Sequence, residues 1–220
     1  MSLNILLVSA SPRRAKSQTF ALARRVIAGC KGAAQVETVH LRDLKIDFCI
    51  HCEACHIHCM RCPVKDDVYA LLNKMLAADG IILATPNYIN QVTGALKAVL
   101  DRSAHFIHCK RLLGKYLCGV VTSGSGSQDR LVLDYLKYYG HVCGAQWSGG
   151  VSACAYAMDG ATPEALALGG KFVEDIETRK RYPAQIKIIE KGKAHFHEII
   201  ESRKELWKGE YEYWREKGWL

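Results

Sequence analysis

Hydrophobic residues alternate along most of the chain between unbroken apolar runs and runs of helical spacing. Leu3 to Ser9 is almost entirely apolar, which is typical of a strand buried on both faces of a parallel sheet. Short runs of the same kind recur four more times. They predict further strands at 35–41, 80–84, 116–122 and 145–151.

Between these strands the apolar residues recur at three- and four-residue intervals, which indicates amphipathic helices. Ser17 is placed to cap a helix that turns Phe20, Ala23 and Val26 inward. Strands that alternate with helical crossovers predict an α/β fold with a doubly wound parallel sheet of five strands. Later helices are predicted to begin at Asp66, Thr93, Gln128 and Thr162.

The last part of the chain carries a different pattern, in which aromatic residues share one predicted helix face. Such a face packs on its own domain or on a neighbouring subunit, and the acidic residues among the aromatics disfavour a base-stacking surface. We therefore divide the chain into a domain at 1–182 and a C-terminal helical extension at 183–220. The residues of that face are Phe196, Ile199, Ile200, Trp207, Tyr211 and Trp214.

The composition is that of an ordinary soluble protein of 220 residues, enough for one sizeable domain with an appendage. The N-terminal apolar run is too short for a secretory leader or a membrane span, so we expect a cytoplasmic protein. There its ten cysteines would be thiols or metal ligands. The net charge of +8 suits an acidic partner or a phosphorylated ligand, and no recognised nucleic-acid-binding motif accompanies it.

Five cysteines fall within fourteen residues, in a loop at 48–63 that we call the cysteine segment. Buried structural cysteines occur singly, whereas this spacing indicates an array of metal ligands. Three histidines of the segment (His51, His56, His58) are interpreted as exposed loop residues. The array consists of Cys49, Cys52, Cys55, Cys59 and Cys62. The other cysteines are scattered, and we interpret them as core or incidental residues: Cys30, Cys109, Cys118, Cys143 and Cys154.

Ligands of doubly wound sheets bind where the strands end, and three loops there are polar. The first combines hydroxyls and cations with a helix start, which predicts a phosphate site; it matches neither a Walker loop nor the G-x-G-x-x-G fingerprint. Its candidate residues are Ser9, Ser11, Arg13, Ser17, Gln18 and Thr19. The other two loops suit the edges of a planar ring. They supply Pro86, Asn87, Tyr88 and Ile89, and Ser123, Gly124, Ser125 and Gly126.

Together these motifs resemble those of the flavodoxin-like NAD(P)H-dependent FMN reductase superfamily. The resemblance rests on Ser-x-Ser-Pro-Arg, Lys65-Asp66-Asp67, Ala78 to Ile82, Thr85 to Tyr88, and Val92 to Lys97 with Asp101-Arg102. Within that superfamily the cysteine segment resembles the iron–sulfur flavoproteins. The resemblance implies the strand order 2-1-3-4-5, FMN held by the three strand-end loops, a [4Fe–4S] cluster, a homo-oligomer (dimer or tetramer) and a ferredoxin-type electron donor.

The resemblance implies Cys49, Cys52, Cys55 and Cys62 as the cluster ligands. A rival set replaces Cys62 by Cys59, because that spacing is the bacterial ferredoxin run C-x2-C-x2-C-x3-C. The ferredoxin proline follows Cys62 rather than Cys59 here, so both sets stay open. Zinc is the alternative metal, but three ligands at two-residue spacing suit a cubane better than a structural zinc site.

These observations support a leading hypothesis and two alternatives. The first is an oxidoreductase that uses FMN and a [4Fe–4S] cluster to pass electrons from an acidic, ferredoxin-type donor to an acceptor. No side-chain acid or base is assigned, because the cofactors carry the chemistry. The alternatives are an NAD(P)H-dependent FMN or quinone reductase without a cluster, and a zinc-stabilised binding protein.

Overall fold

A five-stranded parallel sheet forms the centre of the protein, which a computed structural model describes over residues 3–220. The strands lie in the order β2-β1-β3-β4-β5, so the predicted fold class and strand order are confirmed. Each strand begins or ends within a few residues of its predicted bounds. They are β1 (Leu3–Ser9), β2 (Ala34–His40), β3 (Gly80–Pro86), β4 (Tyr116–Ser123) and β5 (Gln146–Cys154).

Alternate residues of each strand enter two separate cores, one on each face of the sheet. In β1, Leu6 and Val8 belong to one core, while Ile5 and Leu7 belong to the other. All four side chains are buried. This double burial explains why the strands are almost continuously apolar in the sequence.

Helices cover both faces, so the sheet is doubly wound. The two cores assign α1 and α7 to one face and α3, α4 and α6 to the other. Ser17 caps α1 as predicted, since its Oγ accepts the Phe20 N–H at 3.2 Å. The helices are α1 (Gln18–Gly29), α2 (Ala54–Ile57), α3 (Val68–Ala77), α4 (Gly94–Asp101), α5 (Ala104–His108), α6 (Asp129–Cys143) and α7 (Thr162–Glu177).

The C-terminal extension forms two helices, α8 (Pro183–Ser202) and α9 (Lys208–Glu216), rather than the single helix face that the aromatic spacing predicts. The chain turns between them, and Trp207 directly precedes α9. The aromatic residues nevertheless share one cluster: Trp207 and Trp214 pack with Ile200 around Cys109. The extension therefore packs on its own chain. No helix among residues 3–220 is long and apolar enough to cross a membrane.

Candidate functional site

The three predicted ligand loops lie side by side, because β1, β3 and β4 are neighbours in the sheet. Hydrogen bonds join them. The Thr19 and Thr122 hydroxyls are 2.6 Å apart, which links the first loop to the end of β4. The Thr93 hydroxyl donates to the Ala10 carbonyl at 3.3 Å, and the Asn87 N–H donates to the Thr122 carbonyl at 2.8 Å. The loops therefore form one continuous surface at the strand ends.

The first loop has unused hydrogen-bonding capacity that suits an anion. Ser9 is fully buried at the end of β1, and its Oγ has no hydrogen-bond partner within the described residues. The first-turn amides of Gln18 and Thr19 point out of the N-terminus of α1, where no carbonyl of the helix can accept them. Ser11 and Ser17 are buried beside them, while Arg13 is exposed. Donors, a helix dipole and a nearby cation fit the phosphate of FMN.

The second loop turns sharply and exposes an apolar side chain. Ile89 and Asn90 have φ angles of +53° and +59°, and Tyr88 and Gln91 pair across the turn. A β-branched residue rarely adopts positive φ, and such strain is typical of functional sites. Ile89 is 98% exposed. A planar ring bound at this edge would contact the backbone of this turn and the exposed Ile89 side chain.

Two interactions hold the polar ends of the second and third loops. The Asn87 amide donates to Asp129 Oδ1 at 3.0 Å, and the second Asp129 oxygen is buried without a partner within residues 3–220. The Gly126 N–H donates to Ser123 Oγ at 2.7 Å, in a turn where Gly126 has a φ of +73°. Gly124 and Ser125 form the exposed tip of the third loop.

Four cysteines of the cysteine segment line one cavity of about 130 Å³. They are Cys49, Cys52, Cys55 and Cys62. The first two are exposed and the last two half-buried, so the cavity opens to solvent on one side. A water molecule occupies about 30 Å³ in the liquid, so the cavity has room for a group of several atoms. Four cysteines that line one cavity supply the donor set of an iron–sulfur cluster.

A buried guanidinium supports this cavity. Arg102 is 3% exposed, and its Nη2 donates to Cys62 Sγ at 3.3 Å. Its Nη1 donates to Asp66 Oδ2 at 2.7 Å and to the Asp47 carbonyl at 2.9 Å. Burial alone would raise the pKa of Asp66, but hydrogen bonds from Arg102 and from the Asp47 and Val68 N–H groups, together with the Arg102 charge, hold that pKa below its ordinary value. The guanidinium therefore places a hydrogen-bond donor and a positive charge at the Cys62 sulfur.

Cys59, the rival fourth ligand, does not line this cavity. It packs instead against the cluster of Cys109, Ile200, Trp207 and Trp214 under the C-terminal extension. It also borders a different cavity, which is open to solvent. The structure thus brings the four resemblance-implied ligands together and separates Cys59 from them.

The extension holds the cysteine segment through a buried carboxylate. Glu210 is completely buried; His56 Nδ1 lies 2.6 Å from its Oε1, and His108 Nδ1 lies 3.0 Å from its Oε2. Burial alone would raise the pKa of Glu210, but hydrogen bonds from His108 and His56 outweigh it and lower the pKa. His56 is 7% exposed, so its interpretation as an exposed loop residue is wrong.

Trp207, which precedes α9, and Gly209 of α9 make further contacts with the cysteine segment. The Trp207 ring stacks on both His56 and His108, at centroid distances of 4.7 and 5.0 Å, and its indole N–H donates to Glu53 at 3.3 Å. A side chain at Gly209 would meet the Ile57 carbonyl at 2.5 Å. Only a residue without a Cβ allows the helix to approach this closely.

His56, His108 and Glu210 also offer metal-ligand atoms that lie within 4.8 Å of one another. Tetrahedral ligands about 2.0 Å from zinc lie about 3.3 Å apart, whereas the contacts here are 2.6 and 3.0 Å. The distances are those of hydrogen bonds. We therefore describe His56, Glu210 and His108 as a hydrogen-bond network that positions the cysteine segment.

Sequence reasoning missed most of this support. Arg102 belongs to one of the motifs that carry the family resemblance, so the sequence indicates that it lies near the site. Nothing in the sequence indicates its contact with Cys62. Cys109 was interpreted as core or incidental, and its contact with Cys59 depends on the packing of the extension. Glu210 lies among other acidic residues of an aromatic tail. Nothing in the sequence distinguishes it from its exposed neighbours.

Comparison with known proteins agrees with this geometry. Residues 3–158 match the NADPH-dependent FMN reductase family. An iron–sulfur flavoprotein from Archaeoglobus fulgidus is 30% identical over 190 residues, which are 84% of this chain and 86% of that protein.

Among solved structures, an NADH:FMN oxidoreductase in its apo form has a TM-score of 0.60 and 25% identity, covering 84% of this chain and 94% of that one. A Megasphaera elsdenii flavodoxin has a TM-score of 0.53 at 20% identity, covering 77% and 98%, and supports the fold alone. The chain belongs to the NADPH-dependent FMN reductase family, in the branch of the iron–sulfur flavoproteins, and is an FMN-dependent oxidoreductase.

Proposed function

We propose that this chain is an electron-transfer flavoprotein that holds FMN in its strand-end loops and a [4Fe–4S] cluster in the cysteine cavity. It would pass electrons from a ferredoxin-type donor to an acceptor. The observation that carries the proposal is the shared cavity of four thiols beside a buried Arg102. A site that only stabilised the fold would not need a cation aimed at one of its sulfurs.

The chain's own residues have distinct tasks in this proposal. The FMN phosphate would lie against the hydroxyls of Ser9, Ser11 and Ser17 and the free amides of Gln18 and Thr19, with Arg13 supplying charge. The ring would lie between the loop of Pro86, Asn87, Tyr88 and Ile89 and the loop of Ser123, Gly124, Ser125 and Gly126. Cys49, Cys52, Cys55 and Cys62 would ligate the cluster. Bound together, these cofactors would supply one-electron and paired-electron chemistry in one protein.

A homo-oligomer is part of the proposal. One helix, α4, separates the ring loop at Thr93 from the cysteine cavity at Arg102, and nine residue steps at 1.5 Å make about 13 Å. Exposed apolar side chains lie at both places: Ile89 in the ring loop, and Phe48 and Ile50 beside the cavity, at 98%, 78% and 66% exposure. The proposal places these side chains in an interface between subunits. A neighbouring subunit that covered the ring loop and the cysteine cavity would place its own flavin closer to the cavity than the flavin of the same chain.

The donor would be acidic. The chain carries a net charge of +8, and complementary charge accelerates the encounter of electron-transfer partners. The association rate with an acidic ferredoxin would therefore fall steeply as salt is raised. A rate that does not change with ionic strength would contradict this part of the proposal.

Anaerobic purification with metal analysis tests the cofactors. Iron, sulfide, zinc and FMN are counted per chain in the parent, in Cys52→Ala and in Cys59→Ser. We expect Cys52→Ala to lose iron and sulfide but keep FMN, and Cys59→Ser to keep all three. Iron and sulfide retained in Cys52→Ala would overturn the ligand set, and zinc without flavin would favour a zinc-stabilised binding protein instead.

The second candidate is an NAD(P)H-dependent reductase without a cluster. The family match and the similarity to an NADH:FMN oxidoreductase favour it. Anaerobic mixing separates the two candidates. Rapid bleaching of the flavin by NAD(P)H alone, in protein free of iron, supports the reductase, whereas bleaching only with a reduced ferredoxin supports the electron-transfer protein.

A further inference from the structure

The fifth cysteine of the segment forms a pair with a cysteine from outside it. Cys59 packs on the cluster that contains Cys109, and Cys109 is completely buried between the extension and the sheet domain. The interaction between the two thiols is the largest influence on the pKa of each. A ligand array needs only four thiols, so this contact gives Cys59 a different partner from Cys49, Cys52, Cys55 and Cys62.

Only one member of the pair can be reached from solvent. Cys59 is half-buried and borders a cavity of about 420 Å³. Ligand pockets for small molecules measure about 300–1,000 Å³. Two cationic residues (Arg61, Arg111) and two acidic residues (Glu212, Glu216) also line the cavity. A small solute can thus contact Cys59 while Cys109 stays behind it.

The surroundings make Cys59 the more nucleophilic thiol. The hydrogen bond from Cys109 lowers the pKa of Cys59 below its ordinary value, and the Arg111 charge acts in the same direction, against burial and the charges of Glu210 and Glu212. The same hydrogen bond and burial raise the pKa of Cys109. A half-exposed, low-pKa cysteine beside a protonated second cysteine is the arrangement of an attacking and a resolving thiol.

We propose that Cys59 and Cys109 form a thiol–disulfide exchange site whose substrates are low-molecular-weight disulfides. The Cys59 thiolate attacks one sulfur of the small disulfide, forms a mixed disulfide and releases one small thiolate. The Cys109 thiol then attacks Cys59 Sγ, gives up its proton and releases the second small thiol. The net step oxidises the two cysteines to a disulfide and reduces the small disulfide to two thiols. This site goes beyond the proposed FMN and cluster chemistry, and it gives Cys59 a role that Cys62 does not share.

The test uses the anaerobic holoprotein and the aromatic disulfide dithiobis(nitrobenzoate) as the substrate. All samples carry Cys154→Ser, because that half-exposed thiol would react independently. We expect the parent to release two thionitrobenzoates in one rapid phase and to yield a Cys59–Cys109 linked peptide on non-reducing digestion, with its iron retained. Cys109→Ser should release one and keep the label on Cys59, and Cys59→Ser should lack the rapid phase.

Other outcomes would overturn the proposal. A parent that releases one equivalent and keeps the label has no resolving thiol. Iron lost from Cys59→Ser, or from the parent on reaction, would show that the reacting thiols are cluster ligands. Because Cys109 is buried, Cys109→Ser is used only if its circular dichroism matches the parent. The linked peptide of the parent decides the question without any variant of the pair.

Discussion

The three strand-end loops proposed to hold FMN, here called the flavin loops, and the cysteine segment are held in place by different means. The flavin loops continue directly from adjacent strands, so the backbone of the sheet fixes them. The cysteine segment contains only a four-residue helix and depends on side chains that reach it from α4 and from the C-terminal extension. Backbone ladders tolerate the loss of a single side chain, whereas a segment held by a few buried side chains does not.

The largest effect should follow removal of the buried guanidinium. Arg102→Met leaves Asp66 buried without its counter-charge and Cys62 without its donor. Breaking a buried ion pair typically costs about 3–5 kcal/mol, which urea unfolding of the apoprotein measures.

Arg130→Met is the matched control for Arg102→Met. Arg130 forms an exposed pair with Asp134 on α6, and such pairs contribute about 0–1 kcal/mol. Equal destabilisation by the two variants would mean that Arg102 has no special place in holding the cysteine segment.

A smaller effect is expected at the extension. Glu210→Gln keeps the shape of the side chain but cannot accept a charged hydrogen bond from both His56 and His108. The Gln oxygen still accepts one of these bonds, so the loss is that of one charged hydrogen bond, about 1.5–3 kcal/mol. We expect faster hydrogen exchange of amides in the cysteine segment and lower iron content, with FMN content unchanged.

Glu201→Gln, at an exposed position of α8, controls for the loss of one negative charge. It should leave hydrogen exchange and iron content at the parent's values. If Glu210→Gln lost FMN and iron equally, the two regions would not be held independently.

In the flavin loops, a substitution should lower FMN affinity without lowering the stability of the apoprotein. Ser9→Ala removes a buried hydroxyl that has no partner within the described chain, so the apoprotein should be as stable as the parent or more so. Its FMN affinity should fall by about 1 kcal/mol, roughly fivefold, because one hydrogen bond to the phosphate is lost. Isothermal titration of the apoprotein with FMN measures this.

Ser148→Ala is the control for this experiment. The Ser148 hydroxyl is also buried and unpartnered within residues 3–220, but it lies near the start of β5, away from the strand-end loops. Its removal should have the same mild effect on stability and none on FMN affinity. A fall in affinity for Ser148→Ala would show that Ser9→Ala acts through the core rather than through the phosphate.

Acid should weaken the cysteine segment before the sheet. The pKa values of Asp66 and Glu210 are lowered in the folded protein, so their contribution is present above their unfolded pKa values, about 4, and is lost as the pH falls below that range. Hydrogen exchange measured from about pH 6 downward should show the segment opening first. In Glu210→Gln this acid-dependent opening should be smaller, and a parent in which all regions open together would contradict the comparison.

The same contrast explains what the sequence could predict. The five strands and the loops at their ends follow from local periodicity and from the rule that ligands bind at strand ends, whereas the strand order follows from the family resemblance. Ser17 is recognisable as a helix cap by its residue type. The choice between Cys59 and Cys62 could not be made from spacing. The observations that favour Cys62 involve Arg102 and Cys109, which lie 40 and 50 residues further along the chain from Cys62 and Cys59, and a carboxylate that resembles its exposed neighbours in the sequence.

The hydrogen bond between His56 and Glu210 also sets an order of events during synthesis, since 154 residues separate the two. At about 5–20 residues per second on the ribosome, Glu210 is added about 8–30 s after His56. The strands and the flavin loops are complete before then, while the cysteine segment still lacks its clamp. If the cysteine segment takes up the proposed cluster, its four cysteines therefore lack the contact between His56 and Glu210 until α9 has been made.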